Sequence, residues 1–323
     1  MLSQPVIALL KQLASEGVSP WLDAANGEEF LPGPLSHPAV TGLLHGVVAP
    51  ALTPAAIRRA CDALQGIFLA SGSRYGCVSV PVDPRSAHAA KALVAAARRV
   101  HADVGRPNLL TRIPATRAGL AALEDCLALG ISVEVDLVFS VERYHEALRA
   151  YLNGMERALA AGLDLQGIMA TASVPVGMLD AEVNTRLAAL PGPALPATQA
   201  RDTAALAVAR EMYRVREQWL ATGWWRVLQA AGATPPGLLW TTAGPRHISR
   251  LIGWNTAQAV SLEVLETAAL HGELRGDTLL GAHEEGRRAL DALEQLGIRM
   301  PDVARVLETV ELTRLQHAWT LKS

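Results

Sequence analysis

Lysine is nearly missing from this sequence. Of 29 lysines and arginines in 323 residues, only Lys11, Lys91 and Lys322 are lysines, so chemistry through a primary amine must use one of those three. Cysteine is scarce too. Cys61, Cys77 and Cys126 share no metal-type spacing and are too few for a disulfide framework. No apolar run approaches the roughly 18 residues of a membrane helix. The start has no cationic segment, and the run Pro5 to Leu10 is cut by Lys11, so no signal peptide is expected. A net charge of −2 leaves no excess of either sign, which argues against nucleic acid or an anionic membrane as the main partner. These absences predict a soluble, cytoplasmic chain that needs no metal or cofactor and acts on a small molecule. Oligomerisation stays open.

What is present is a large apolar fraction, 50% against 19% charged, enough for an extensive core. Short β-rich runs alternate with amphipathic helical ones, the pattern of βαβ units around a parallel sheet. Eight strands are predicted, at Pro20 to Ala24, Val40 to Gly46, Gly76 to Val82, Asn108 to Pro114, Ile131 to Phe139, Gly167 to Val174, Gly237 to Ala243 and Ala257 to Leu262. Leu2, Val6, Leu9, Leu10 and Leu13 share one face of an N-terminal helix. Three further helices are expected after the last strand, at Glu263 to Glu273, Gly281 to Leu296 and Pro301 to Thr320. The one linker-like piece is Pro191 to Thr198. The expectation is an α/β fold, a (β/α)8 barrel with additional C-terminal helices, forming a single domain over residues 1–323.

Chemistry in such a barrel sits at the C-terminal strand ends, on inward side chains that recur every second residue. That rule selects Asp23, His45 or Gly46, Pro81, Arg112, the pair Glu134 and Asp136, and Ser173. Two carboxylates on one face of a strand, beside an arginine on the preceding strand, form the strongest chemical signal, because unpaired charge is disfavoured inside a barrel. Arg112 and Glu134 are expected as neighbours across strands four and five. One of the two acids is expected to hold its proton more tightly than usual. Asp23, Glu134 and Asp136 together could suit Mg²⁺, but Arg112 competes for them, so no metal is assigned. His45 and His247 are read as bases or as simply hydrogen-bonded residues, and Cys77 as a small buried hydrophobe. Trp254, just before strand eight, could wall the pocket.

Arg106-Pro-Asn-Leu-Leu-Thr-Arg-Ile-Pro-Ala-Thr116, followed by AGLAALEDCLALGISVEVDLVFSVERYHEAL from Ala118, resembles a transaldolase. The similarity extends to WLD at Trp21, VDPRSAH at Val82, AYLNGMERALAAGLDL at Ala150, HGELRGDTLLG at His271 and LDALEQLGI at Leu290. The resemblance implies a (β/α)8 barrel. It also implies a Schiff base between a fourth-strand lysine and a ketose phosphate, with transfer of a dihydroxyacetone unit to an aldose phosphate. Arg112 stands at the lysine position, and a guanidinium stays protonated and cannot be that amine. Pro81 stands for the third-strand glutamate, Gly46 for the second-strand asparagine, and Glu134 and Asp136 for the fifth-strand asparagine and threonine. Met178 stands for a phosphate-binding arginine. Asp23 and Ser173 match the family, and Arg246 offers a cation at its phosphate-contact region.

Two functions follow as expectations. The first is an enzyme repurposed from transaldolase chemistry for acid–base catalysis, a dehydration, isomerisation or cyclisation of a relatively apolar intermediate of secondary metabolism. Arg112 would bind and polarise, Glu134 and Asp136 would move protons, and Asp23 would orient. His45, Gly46, Pro81, Ser173, Met178, Arg246 and Trp254 would contact the substrate. The alternative is a catalytically dead homologue kept as a binding or scaffolding subunit.

Overall fold

A computed structural model describes residues 2–24, 41–190, 195–271, 274 and 276–321. Eight parallel strands close into a barrel in sequence order: β1 Val18–Asp23, β2 Gly46–Val48, β3 Cys77–Pro81, β4 Leu109–Pro114, β5 Val133–Asp136, β6 Ala170–Pro175, β7 Gly237–Thr241 and β8 Thr256–Val260. Helix α1 (Gln4–Ser15) precedes the barrel and buries Val6, Leu9, Leu10 and Leu13, the face that the heptad-like spacing marks. Helices α2 (Pro54–Ala70), α3 (Ala90–Val104), α4 (Arg117–Ala128) and α5 (Val141–Ala160) follow strands two to five. After β6 come α6 (Val176–Ala188), α7 (Leu195–Ala200), α8 (Ala204–Leu220) and α9 (Gly223–Ala230). Helix α10 (Pro245–Arg250) follows β7, and α11 (Leu262–His271), α12 (His283–Gln295) and α13 (Met300–Thr320) complete the chain.

Local chemistry sets the helix starts. Thr53, Thr116 and Ser140 each accept a hydrogen bond from the backbone N–H three residues on, satisfying one of the donors that a helix start leaves open. Proline follows Thr53 in the first turn of α2, where its missing N–H costs nothing.

The second strand is shorter and later than predicted. Residues before Gly46 form a turn closed by Leu44 N–H donating to the Thr41 carbonyl, and pairing begins only when His45 N–H donates to Pro20 O. Val40 lies outside the described residues. The apolar Leu43-Leu44 pair therefore signals burial rather than strand. β5 ends at Asp136 instead of Phe139, because Leu137 takes φ +63° and turns the chain. In the linker-like piece, residues 191–194 lie outside the described set and Leu195 opens α7.

Alternation divides the barrel interior into zones. Trp21, Cys77, Leu110, Met169, Leu239, Ala257 and Ala259 belong to one buried apolar cluster, which plugs the barrel. Ser79, Glu134 and Ser173 are fully buried and occupy inward positions nearer the C-terminal strand ends. Arg112 and Asp136 come last. Helix α13 reaches this end from the far terminus of the chain, where Gln316 Nε2 donates to Pro84 O at 3.1 Å.

Gly46 shows how tight the plug is. It pairs in register with Trp21, and a Cβ on it would fall inside the Trp21 indole at Cδ2. We predict that Gly46→Ala displaces the indole and costs about 1–3 kcal/mol, the usual range for overpacking. Denaturant unfolding checks this; a variant as stable as the parent would contradict it.

Candidate active site

Three consecutive strands build the mouth. Arg112 pairs in register with Pro81 on one side and Glu134 on the other, and Pro114 pairs with Asp136. The Arg112 guanidinium, 12% exposed, extends across β3: its Nη2 donates to Ala49 O at 2.6 Å, and its Nε lies 3.8 Å from Asp136 Oδ2. Arg112 is thus paired with Asp136 and not with Glu134, although Glu134 is its neighbour across the sheet. Glu134 turns instead to β6, where Ser173 Oγ donates to its Oε1. Its Oε2 is buried and has no hydrogen-bond partner among the described residues, an unused acceptor in a region where such groups are normally satisfied.

Asp136 holds its proton more tightly than an ordinary carboxyl. Burial pushes its carboxyl up from 3.8 to about 6; Arg112 opposes the shift, while Glu134 and Asp23 reinforce it. The Leu137 N–H donates to Asp136 Oδ1 at 2.7 Å, fixing that oxygen and leaving Oδ2 toward Arg112. Arg112 and Asp136 both line a cavity of about 200 Å³ at the C-terminal end of the barrel. Its remaining wall includes Pro81, Ile113, Arg314 and Trp319.

Sequence reasoning missed the α13 side of this cavity. Arg314 and Trp319 lie about two hundred residues downstream of Arg112 and carry no local motif. Arg314 Nε donates to Glu311 Oε2 at 2.7 Å, and its side chain is 60% exposed. The only available signal was an amphipathic helix after a completed barrel.

Other expected positions separate. Asp23 ends β1 and acts electrostatically on Asp136, and Pro81 lines the cavity. Gly46 serves the plug by making room for Trp21. His45 precedes β2 and so lies at the opposite end of the barrel. It stacks on Tyr75 with ring centroids 4.0 Å apart, and burial pushes it down to about 4. Trp254 also precedes its strand; it is 60% exposed and packs where a Cβ on Gly17 would fall. Neither walls the mouth, because residues before a parallel strand lie at its N-terminal end. Met178 packs against the main core. Arg246 is 71% exposed and paired with Asp202 at 2.6 Å. His247 Nε2 lies 3.0 Å from Asp180 Oδ2, and its Nδ1 accepts from Gly244 N–H, so this histidine is hydrogen-bonded within the fold. Lys11 and Lys91 are exposed on α1 and α3, and Lys322 lies outside the described residues. Among the described residues, no three His, Cys, Asp or Glu side chains are grouped to hold a metal, and no helix is long and apolar enough to cross a membrane.

Residues 43–321 match the family described as transaldolase/fructose-6-phosphate aldolase. Among similar proteins, transaldolase 2 of Streptomyces avermitilis is 40% identical over 83% of this chain and 74% of its own length. A transaldolase of Parafrankia sp. is 38% identical over 92% and 82%, and transaldolase 1 of Streptomyces avermitilis is 35% identical over 96% and 92%. These relatives overturn the expected departure from transaldolase chemistry, and with it both the catalytically dead alternative and the placement in secondary metabolism.

The Asp136 shift has a signed consequence. A carboxyl whose folded value lies above its unfolded value binds more protons when folded, so its contribution to stability falls as pH rises between about 4 and 6. Asp136→Asn should abolish that slope. Relative to the parent, the variant should gain stability across this window, by an amount on the order of 2–3 kcal/mol for a shift of this size. Unfolding measured for both proteins at pH 4, 5, 6 and 7 checks this; parallel pH dependences would contradict it.

Proposed function

Because the chain belongs to the transaldolase/fructose-6-phosphate aldolase family, we propose that it is a transaldolase-type enzyme that moves a three-carbon ketol unit from a ketose phosphate to an aldose phosphate. The observation that carries this reading is the Arg112–Asp136 pair at the strand-four and strand-five ends, set into the mouth cavity of a chain similar to proteins named transaldolase. In this reading Arg112, Asp136, Glu134 and Asp23 form the active site, with Pro81 and Ser173 supporting it. Three free, buried cysteines accord with a reducing cytoplasm.

Transfer begins with the donor C2 carbonyl against Arg112 and its C4 hydroxyl against Asp136. The Asp136 carboxylate takes the hydroxyl proton, the C3–C4 bond breaks, and its electron pair moves into the C2–C3 unit as an enediolate. An aldehyde phosphate leaves. Arg112 stabilises the enediolate oxygen with charge-assisted N–H donors; it is held in place by Ala49 O, so little reorganisation is needed as charge develops. The enediolate carbon then attacks the acceptor aldehyde. Asp136 returns its proton to the new alkoxide, which closes the balance. A carboxyl near 6 suits a group that must both take and return a proton near neutrality.

Arg314 supplies the second cation of the cavity. Its position at the rim and its exposure suit a phosphate that stays partly solvated, a role the sequence reading had given to Arg246.

The test is transfer from fructose 6-phosphate to a tetrose phosphate, followed by the appearance of glyceraldehyde 3-phosphate. Arg112→Met should lower kcat/KM by about 100-fold or more, the usual cost of one oxyanion donor. Arg314→Met should raise KM about 10-fold with kcat within about 2-fold, as expected for a lost charge-assisted contact. No transfer by the parent protein would overturn the function. Borohydride inactivation in the presence of donor, with mass added at a lysine, would overturn the role of Arg112.

A further inference from the structure

A second cavity, of about 580 Å³, lies at the N-terminal strand ends, opposite the chemistry. In barrels of this kind that face serves stability, so a large opening there is unexplained by the catalytic reading. Trp21, Cys77, Leu110 and Met169 line it from the plug side, and the same plug separates it from Arg112 and Asp136.

The charge of its wall is one-sided. Among the described residues Arg74 and Arg216 line the cavity, and no aspartate or glutamate does. Arg74 is exposed at the rim, but Arg216 is 2% exposed. Its Nε donates to Pro236 O at 3.1 Å and its Nη1 to Glu217 Oε1 at 3.2 Å. Glu217 itself is 43% exposed, so its charge is strongly hydrated and only partly offsets the buried guanidinium. Burying a cation with one solvated partner is costly unless another anion completes it. His45, stacked behind Tyr75 and pushed down to about 4, is neutral at physiological pH and adds no competing charge.

The rest of the wall selects the body of the ligand. Trp21 and Tyr75 give flat apolar surface, and Gln166, Gln229 and Asn255 give neutral polar groups. Asn255 and Ser73, both lining the cavity, hold φ values of +58° and +67°, a conformation that non-glycine residues seldom take outside constrained sites. We propose that this basal cavity is a binding site for a small organic anion, with a carboxylate or phosphate head on Arg216 and a flat apolar body against Trp21 and Tyr75. It would be a second site, separate from the catalytic mouth.

Calorimetric titration of the full chain with benzoate, phenyl phosphate and benzyl alcohol tests this. Saturable binding of either or both anions is expected, at least 10-fold tighter than benzyl alcohol, and the stronger of the two identifies the head group. Arg216→Gln should weaken it at least 10-fold and Arg74→Gln about 3-fold, whereas Arg112→Met should leave it unchanged. Arg74→Gln decides the matter if Arg216→Gln fails to fold, because Arg74 is exposed. Equal binding of the neutral alcohol, no binding of either anion, no effect of Arg74→Gln, or loss of binding in Arg112→Met would each overturn the proposal. Transfer activity is not among the readouts, so failure here is distinct from failure of the catalytic reading.

Discussion

The mouth of this barrel depends on how Asp136 is buried. Burial pushes its carboxyl up, Glu134 and Asp23 reinforce the shift, and Arg112 opposes it, which leaves it at about 6. Arg112 cannot close fully on Asp136, because its Nη2 is committed to Ala49 O and its Nε stands 3.8 Å from the carboxylate. That separation keeps the pair from becoming a closed ion pair. A tighter bridge would fix Asp136 as a permanent carboxylate and reduce the guanidinium to a structural counter-ion.

Glu134 makes this arrangement possible by staying out of it. Alternation places it on the same face of β5 as Asp136, one inward position deeper. Ser173 on β6 draws it away from Arg112. The two acids therefore divide the available partners: one takes a hydroxyl in the buried interior, the other a cation at the cavity. Below them the apolar plug around Trp21, Leu110 and Met169 closes the barrel. The interior thus has two ends with separate electrostatics, a mouth holding both signs of charge and a base whose charged lining, among the described residues, is Arg74 and Arg216.

The barrel itself was legible because strands three to eight carry strong β-rich runs between amphipathic helices, and period-two alternation correctly turned Arg112, Glu134, Asp136 and Ser173 inward. What alternation does not encode is which end of a strand a residue occupies. His45 and Trp254 precede their strands and lie at the base, and the misplaced second strand followed from reading Leu43 and Leu44 as extended. Side-chain choice was equally hidden, since register makes Arg112 adjacent to Glu134 while the guanidinium reaches Ala49 and Asp136 instead. Arg314 and Trp319 became part of the site only through docking of α13, a tertiary event without a local pattern. The functional reading fails for another reason: loss of individual polar groups at the mouth does not outweigh similarity over most of the chain to proteins named transaldolase.

The central claim is that Asp136 moves the proton while Arg112 holds the developing negative charge. The pH dependence of kcat/KM for fructose 6-phosphate cleavage tests it most directly, because that quantity reports groups of the free enzyme. The account predicts a rising limb with a midpoint near 6, the level to which burial brings Asp136, shifted upward in Arg112→Met as the opposing cation is removed. A profile flat from pH 5 to 7, or a limb that does not move when Arg112 is replaced, would contradict it.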